Sequence, residues 1–122
     1  MNGQKTTGAV YVFVKPSGGW TNMDQTAKLY ASNQNYNCGF GDSVALEGST
    51  LAVGVSIGDW PNGAVYVYFK PPNGWTSTGT YNAMFAASGG QGSNYFGWSA
   101  AITSETILVG SQQPGAAYVF EP

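Results

Sequence analysis

The hexapeptide Gly-Ala-Val-Tyr-Val-Phe at residues 8–13 returns as Gly-Ala-Val-Tyr-Val-Tyr at 63–68 and as Gly-Ala-Ala-Tyr-Val-Phe at 115–120. A chain that repeats itself at this spacing builds its core by stacking copies of one small unit, so the unit is what has to be read. Other residues keep the same phase. Trp20 recurs as Trp75, Phe40-Gly41-x-Ser43 as Phe96-Gly97-x-Ser99, and Val53-Gly54 as Val109-Gly110. Repetition of this kind argues strongly for an architecture and says little about chemistry.

Within the unit, β-branched and aromatic runs are cut by turn residues, and helical periodicity is absent. Residues 8–15 form such a run, closed by Pro16-Ser17-Gly18-Gly19, a strand followed by turn chemistry. Val10, Val12 and Val14 fall on one face and Ala9, Tyr11 and Phe13 on the other. Both faces are apolar, so both are expected to be covered, as in stacked sheets. After each turn come a Trp, a polar stretch and a short apolar segment, at residues 27–31 and 83–87. Loops rich in Asn, Gln, Ser and Gly follow at 32–39 and 88–95. Then come two further strands around a tight turn: 40–46 and 50–55 in one unit, 96–102 and 106–110 in the next. Each unit therefore holds four short strands, a four-stranded antiparallel meander slightly longer than a typical propeller blade. Phe40 and Phe96 open the inner strands and are expected to be buried, together with Tyr11, Tyr66 and Tyr118. Trp20 and Trp75, at equivalent positions, are expected to pack between units.

The expected fold class is all-β, with about two β-propeller-type blades in a single repeat unit spanning 1–122. Residues 8–31 supply two strands of a first blade, 40–87 a complete blade, and 96–120 three strands of a further one. Propellers typically need four to eight blades to close, and a solitary pair leaves apolar faces and strand edges open. Completion is expected either by a larger parent chain or by oligomerisation, a homo-oligomer or filament pairing strands through 8–15 and 115–120.

Composition excludes several functions. The 122 residues carry four Lys, no Arg and a net charge of −2, with only 8% charged residues. Phosphate binding needs clustered basic side chains, so nucleic acid is not an expected partner. No apolar run reaches the roughly 20 residues of a membrane span, so membrane insertion is not expected. With 43% hydrophobic and 15% aromatic residues the chain is not a disordered polyanion. A lone Cys38 has no internal disulfide partner and reads as a free thiol. Residues 1–7 show no signal peptide, yet the low-charge, Asn- and Ser-rich composition matches secreted and cell-surface β proteins, so an extracellular location is expected.

Catalysis is not expected. The chain has no His, which removes His-based acid–base chemistry and a Ser-His-Asp triad. The six acidic residues, Asp24, Asp42, Glu47, Asp59, Glu105 and Glu121, are scattered, with no paired-carboxylate spacing.

The ordered set Phe-Gly-x-Ser, then Leu-x-Val-Gly or its variant, then Gly-Ala-Val-Tyr-Val-Phe, then Trp resembles the FG-GAP repeat. That repeat builds the β-propeller of integrin α-subunits and of many bacterial surface proteins. The resemblance covers nearly all of residues 8–120 and implies an adhesive, non-enzymatic module working through protein contacts. Many FG-GAP blades hold Ca²⁺ in an Asp-x-Asp-x-Asp-Gly loop. The corresponding stretches here, Ser32-Asn33-Gln34-Asn35-Tyr36-Asn37 and 88–94, contain no carboxylate, whereas Ca²⁺ takes several hard oxygen ligands. No metal or other cofactor is therefore expected.

Aromatic residues outside the repeat are the remaining candidates for ligand contact. Trp60 and Trp98 have no counterpart in the other unit, and Asp59 adjoins Trp60 in the longer connection. Tyr36 and Tyr95 precede the Phe-Gly motifs. Such residues suit stacking on a sugar or a protein interface. A carbohydrate-binding, lectin-like module is thus the alternative to an adhesive one, with a glycan or surface protein as partner.

Overall fold

Period-2 alternation places successive side chains on opposite sides of a strand, and where both sides are apolar the strand belongs inside. The computed structural model describes residues 8–31, 39–55, 63–86, 96–111 and 115–121. Among them run β1 (Val10–Val12), β2 (Ala27–Leu29), β3 (Ser43–Glu47), β4 (Thr50–Val55), β5 (Ala64–Phe69), β6 (Ala83–Phe85), β7 (Phe96–Ile102), β8 (Ile107–Ser111) and β9 (Ala116–Phe120). They form three antiparallel sheets in strict sequence order, β1-β2, β3-β4-β5-β6 and β7-β8-β9. The fold is all-β.

In the middle sheet the central strands β4 and β5 are buried on both faces. Leu51, Val53, Val55, Tyr66 and Tyr68 face the first sheet and pack with Phe40, Val10, Leu29 and Trp75. Ala52, Val65 and Val67 face the third sheet and pack with Phe96 and Val109. Two cores thus lie on either side of β4 and β5, whose continuous apolar sequence, Leu51-Ala52-Val53-Gly54-Val55 and Ala64-Val65-Tyr66-Val67-Tyr68, reflects this two-sided burial.

The motif glycines mark where backbones touch. Gly63 has φ +89, and a Cβ there would run into the backbone of Phe96, within 2.9 Å of its nitrogen. Gly97 has φ +94, and a Cβ there would sit 3.0 Å from the carbonyl oxygen of Val55. Only glycine combines that dihedral with so close an approach. Gly8 and Gly41 repeat the arrangement between the first and second sheets, against Phe40 and Ala9. The Ser and second Gly of the motif are also linked. Ser43 pairs with Gly54 and Ser99 with Gly110, and each glycine vacates the space its serine hydroxyl occupies. Ser43 donates that hydroxyl to the carbonyl of Gly97, 3.1 Å away, tying the middle sheet to the third.

The structure departs from the sequence reading at the first unit. Pairing over residues 8–15 is confined to Val10–Val12, because its partner β2 offers only three residues. Tyr11, expected to be buried, is 50% exposed, and Phe13 on the same face is exposed as well. Tyr66, its repeat equivalent, is fully buried. The difference lies in neighbours: a preceding sheet covers Tyr66, and none among the described residues covers Tyr11. Phe40 and Phe96 are buried as expected, and Tyr118 is half-buried against the second core.

Candidate functional site

Between the first and second sheets the recurrent aromatics close the gap. Phe40 stands edge-on to Tyr66 at 5.8 Å and to Tyr68 at 6.3 Å, the geometry preferred by ring quadrupoles. Beyond β5 the turn at Pro71, bonded by the Gly74 N–H to the Pro71 carbonyl at 2.9 Å, delivers Trp75 into this interface, where it is buried. The segment after it runs parallel to β2. Thr78 donates its N–H to the Lys28 carbonyl and Tyr30 donates to the Thr78 carbonyl, both at 3.1 Å. The Tyr68 hydroxyl donates to the Tyr30 carbonyl at 2.8 Å. Burial raises the pKa of Tyr68 above its ordinary value, and the neighbouring Tyr66 and Tyr81 phenols push it the same way. This is a structural phenol, held neutral.

The interface between the second and third sheets repeats the ring set. Phe96 stands edge-on to Tyr118 at 5.2 Å and to Phe120 at 6.1 Å, and Phe120 stacks on Phe85 at 4.5 Å with ring planes 6° apart. Where Trp75 narrows the first interface to a pocket of about 200 Å³ beside Leu29 and Tyr68, this one opens into a cleft of about 440 Å³. Val67, Phe85, Ile107 and Phe120 line it, with Glu105 at its rim.

Outside these interfaces the same residue types lie bare. Trp20 is 67% exposed although its equivalent Trp75 is only 9% exposed, and Val119 is 58% exposed although its equivalent Val67 is only 3% exposed. Leu108 is exposed where Ala52 is buried. Val44 and Leu46 of β3 stand opposite Val53 and Leu51, on the face turned to the first sheet, and both are exposed. Two strands, β1 and β2, cannot cover four. The candidate site is therefore a pair of apolar sheet faces that match the interior of the same protein. Contiguous exposed patches of this kind mark interaction surfaces.

The residues singled out from sequence contribute less. Trp98 lies on β7, exposed, within the irregular register between Phe96 and Ser99. Tyr36, Asp59, Trp60 and Tyr95 lie outside the described residues, as does Cys38. Among the described residues no group of three or more His, Cys, Asp or Glu could hold a metal. Strand patterning alone does not mark Tyr11, Phe13, Trp20, Val44, Leu46, Leu108 and Val119 as an exposed surface. The available signal was the phase of the repeat, which puts third-strand hexapeptides at both ends of the described strands and so leaves equivalents of buried residues without a neighbour.

The sequence model of the FG-GAP repeat matches residues 23–68 and 80–120, the two stretches that each contain a Phe-Gly-x-Ser, a Val-Gly and a Gly-Ala-x-Tyr strand. No curated protein and no solved structure gives a match. Repeats of this family are generally non-enzymatic, and they are typical of extracellular and surface proteins. With well over half of its residues in two matched repeats that carry the aromatic and glycine contacts described above, the chain belongs to the FG-GAP repeat family.

Proposed function

We propose that this protein is a non-enzymatic structural or adhesive module that acts outside the cell through protein–protein contacts, assembling with further copies of itself into a ring or filament of propeller blades. The observation that carries the reading is the exposure of Trp20 and Val119 at positions whose repeat equivalents are core. Residues with that sequence and that geometry are built to be covered by another unit of the same kind. Strand pairing through residues 8–15 extends a sheet into the neighbour. Among the described residues no helix is long and apolar enough to cross a membrane, and low charge with apolar faces favours a tightly packed assembly. Nothing in the described residues favours a glycan site over this reading.

Light scattering across a range of chain concentrations tests it. The expected result is a mass that is a multiple of the 12.8 kDa chain. A folded monomer at every concentration, with Trp20 still accessible to a quencher, refutes self-assembly.

A further inference from the structure

We propose that residues 8–29 of a second copy complete the third sheet: its β1 pairs with β8 in place of β9, its Trp20 enters the cleft beside Phe85, and its β2 becomes the fourth strand. The inference rests on the self-assembly reading and specifies its geometry.

The register is already written in the chain. On β8, Leu108 pairs with Val119, Val109 with Tyr118 and Gly110 with Ala117. The hexapeptides at 8–13 and 115–120 differ only at Val10 and Ala117, so Val12, Tyr11 and Val10 of the incoming strand take the same partners. Val10 then lies opposite Gly110 as Val65 lies opposite Gly54 in the middle sheet. Tyr11 meets Phe96 as Tyr118 does now, and Phe13 takes the place of Phe120 against Phe85.

Two features favour β1 over β9 as the resident strand. β1 leads into Trp20 and β2, which supply the buried indole and the fourth strand that the middle sheet has in Trp75 and β6. β1 also keeps the close backbone approach of Gly8 to Phe40 in its own chain, so the composite sheet joins one chain's second sheet to the other's. The stacking of one sheet on the next thus continues across the boundary with no new kind of contact.

The exchange covers the bare surface at both ends. Tyr11, Phe13 and Trp20 of one copy lie against the second sheet of the other. Leu108 lies over the neighbour's Val44 and Leu46, which β1 and β2 alone leave exposed. Charge agrees as well, since Lys28 pairs with Tyr11 and so shares its face, and Glu105 stands at the rim of the cleft. The contact is head-to-tail, and it closes into a ring or runs on as a filament according to the rotation between copies.

The test combines mass with three variants of the full chain. Trp20→Ala, at an exposed position, weakens association about 30-fold or more, as expected of a Trp anchor, while Phe120→Ala in the displaced strand leaves association undiminished. In a Cys38→Ser background, Leu108→Cys chains mixed with Val12→Cys chains give a covalent dimer on oxidation. If β9 stays on β8, Leu108 remains opposite Val119 and no such dimer forms. Association that ignores Trp20→Ala, that fails with Phe120→Ala, or that yields no cross-link overturns the composite sheet and leaves self-assembly standing. A monomeric mass for the unaltered chain overturns both.

Discussion

Phe40→Ala probes the seam on which the stacked architecture depends. The ring is 4% exposed and makes edge-to-face contacts with Tyr66 and Tyr68. Losing its transfer free energy costs about 1.5–3 kcal/mol, and each ring pair adds about 0.5–1.5 kcal/mol beyond area. With two ring pairs these terms give about 2.5–6 kcal/mol, which brackets the usual range of about 3–5 kcal/mol for an aromatic truncated in a core. That is a large part of a domain stability of roughly 5–15 kcal/mol. Urea unfolding followed by circular dichroism measures it, at one fixed chain concentration because association shifts apparent stability. With a slope of about 1–3 kcal/mol per molar urea, the midpoint falls by ~2 M. Phe96→Ala should behave alike, since Tyr118 and Phe120 repeat the ring set. Val14→Ala, at an exposed position just past β1, should stay within about 0.5 kcal/mol. A Phe40→Ala loss below about 1 kcal/mol refutes the reasoning, because it would mean that the first and second sheets are not held together by this ring.

Other outcomes follow from single contacts. Gly63→Ala should cost about 1–3 kcal/mol from its positive φ alone, and more from the Phe96 backbone it meets; Gly18→Ala, with open space around it, is the control in a thermal melt. Tyr68→Phe removes the hydrogen bond to Tyr30 and should cost about 1 kcal/mol at neutral pH. Because the folded state raises the pKa of Tyr68 above the ordinary phenol value of 10.0, its contribution is complete below pH 10 and is lost as the unfolded phenol ionises above it. Alkaline unfolding titrations should therefore be shallower above pH 10 for Tyr68→Phe than for the unaltered chain. The melting temperature should not respond to chelator or to millimolar Ca²⁺, given the carboxylate-free loops; a Ca²⁺-dependent rise of several degrees would show a site built from Asn carbonyls and backbone.

Much of the secondary structure was legible because its determinants are local. Val-Tyr-Val runs bounded by Pro-Ser-Gly-Gly or Pro-Pro-Asn-Gly specify strand and turn whatever lies beside them, and Glu47-Gly48-Ser49 turns where expected, with Gly48 at φ +57. The candidate site was less legible. Trp60 and Trp98 break the repeat, Asp59 adjoins Trp60, and Tyr36 and Tyr95 precede the Phe-Gly motifs; of these five only Trp98 lies among the described residues. The structure directs attention instead to residues that obey the repeat and lack a neighbour.

Sequence alone determined the unit: the order of its strands and the apolar character of both faces. These follow from side-chain alternation and local turn chemistry, which are properties of the residues themselves. Tertiary structure decided which copies of the unit are covered. Tyr11 and Tyr66 sit in the same hexapeptide, yet one is half exposed and the other buried. Burial is set by what stands across the interface, and among the described residues no sheet stands across from Tyr11 as the first sheet stands across from Tyr66.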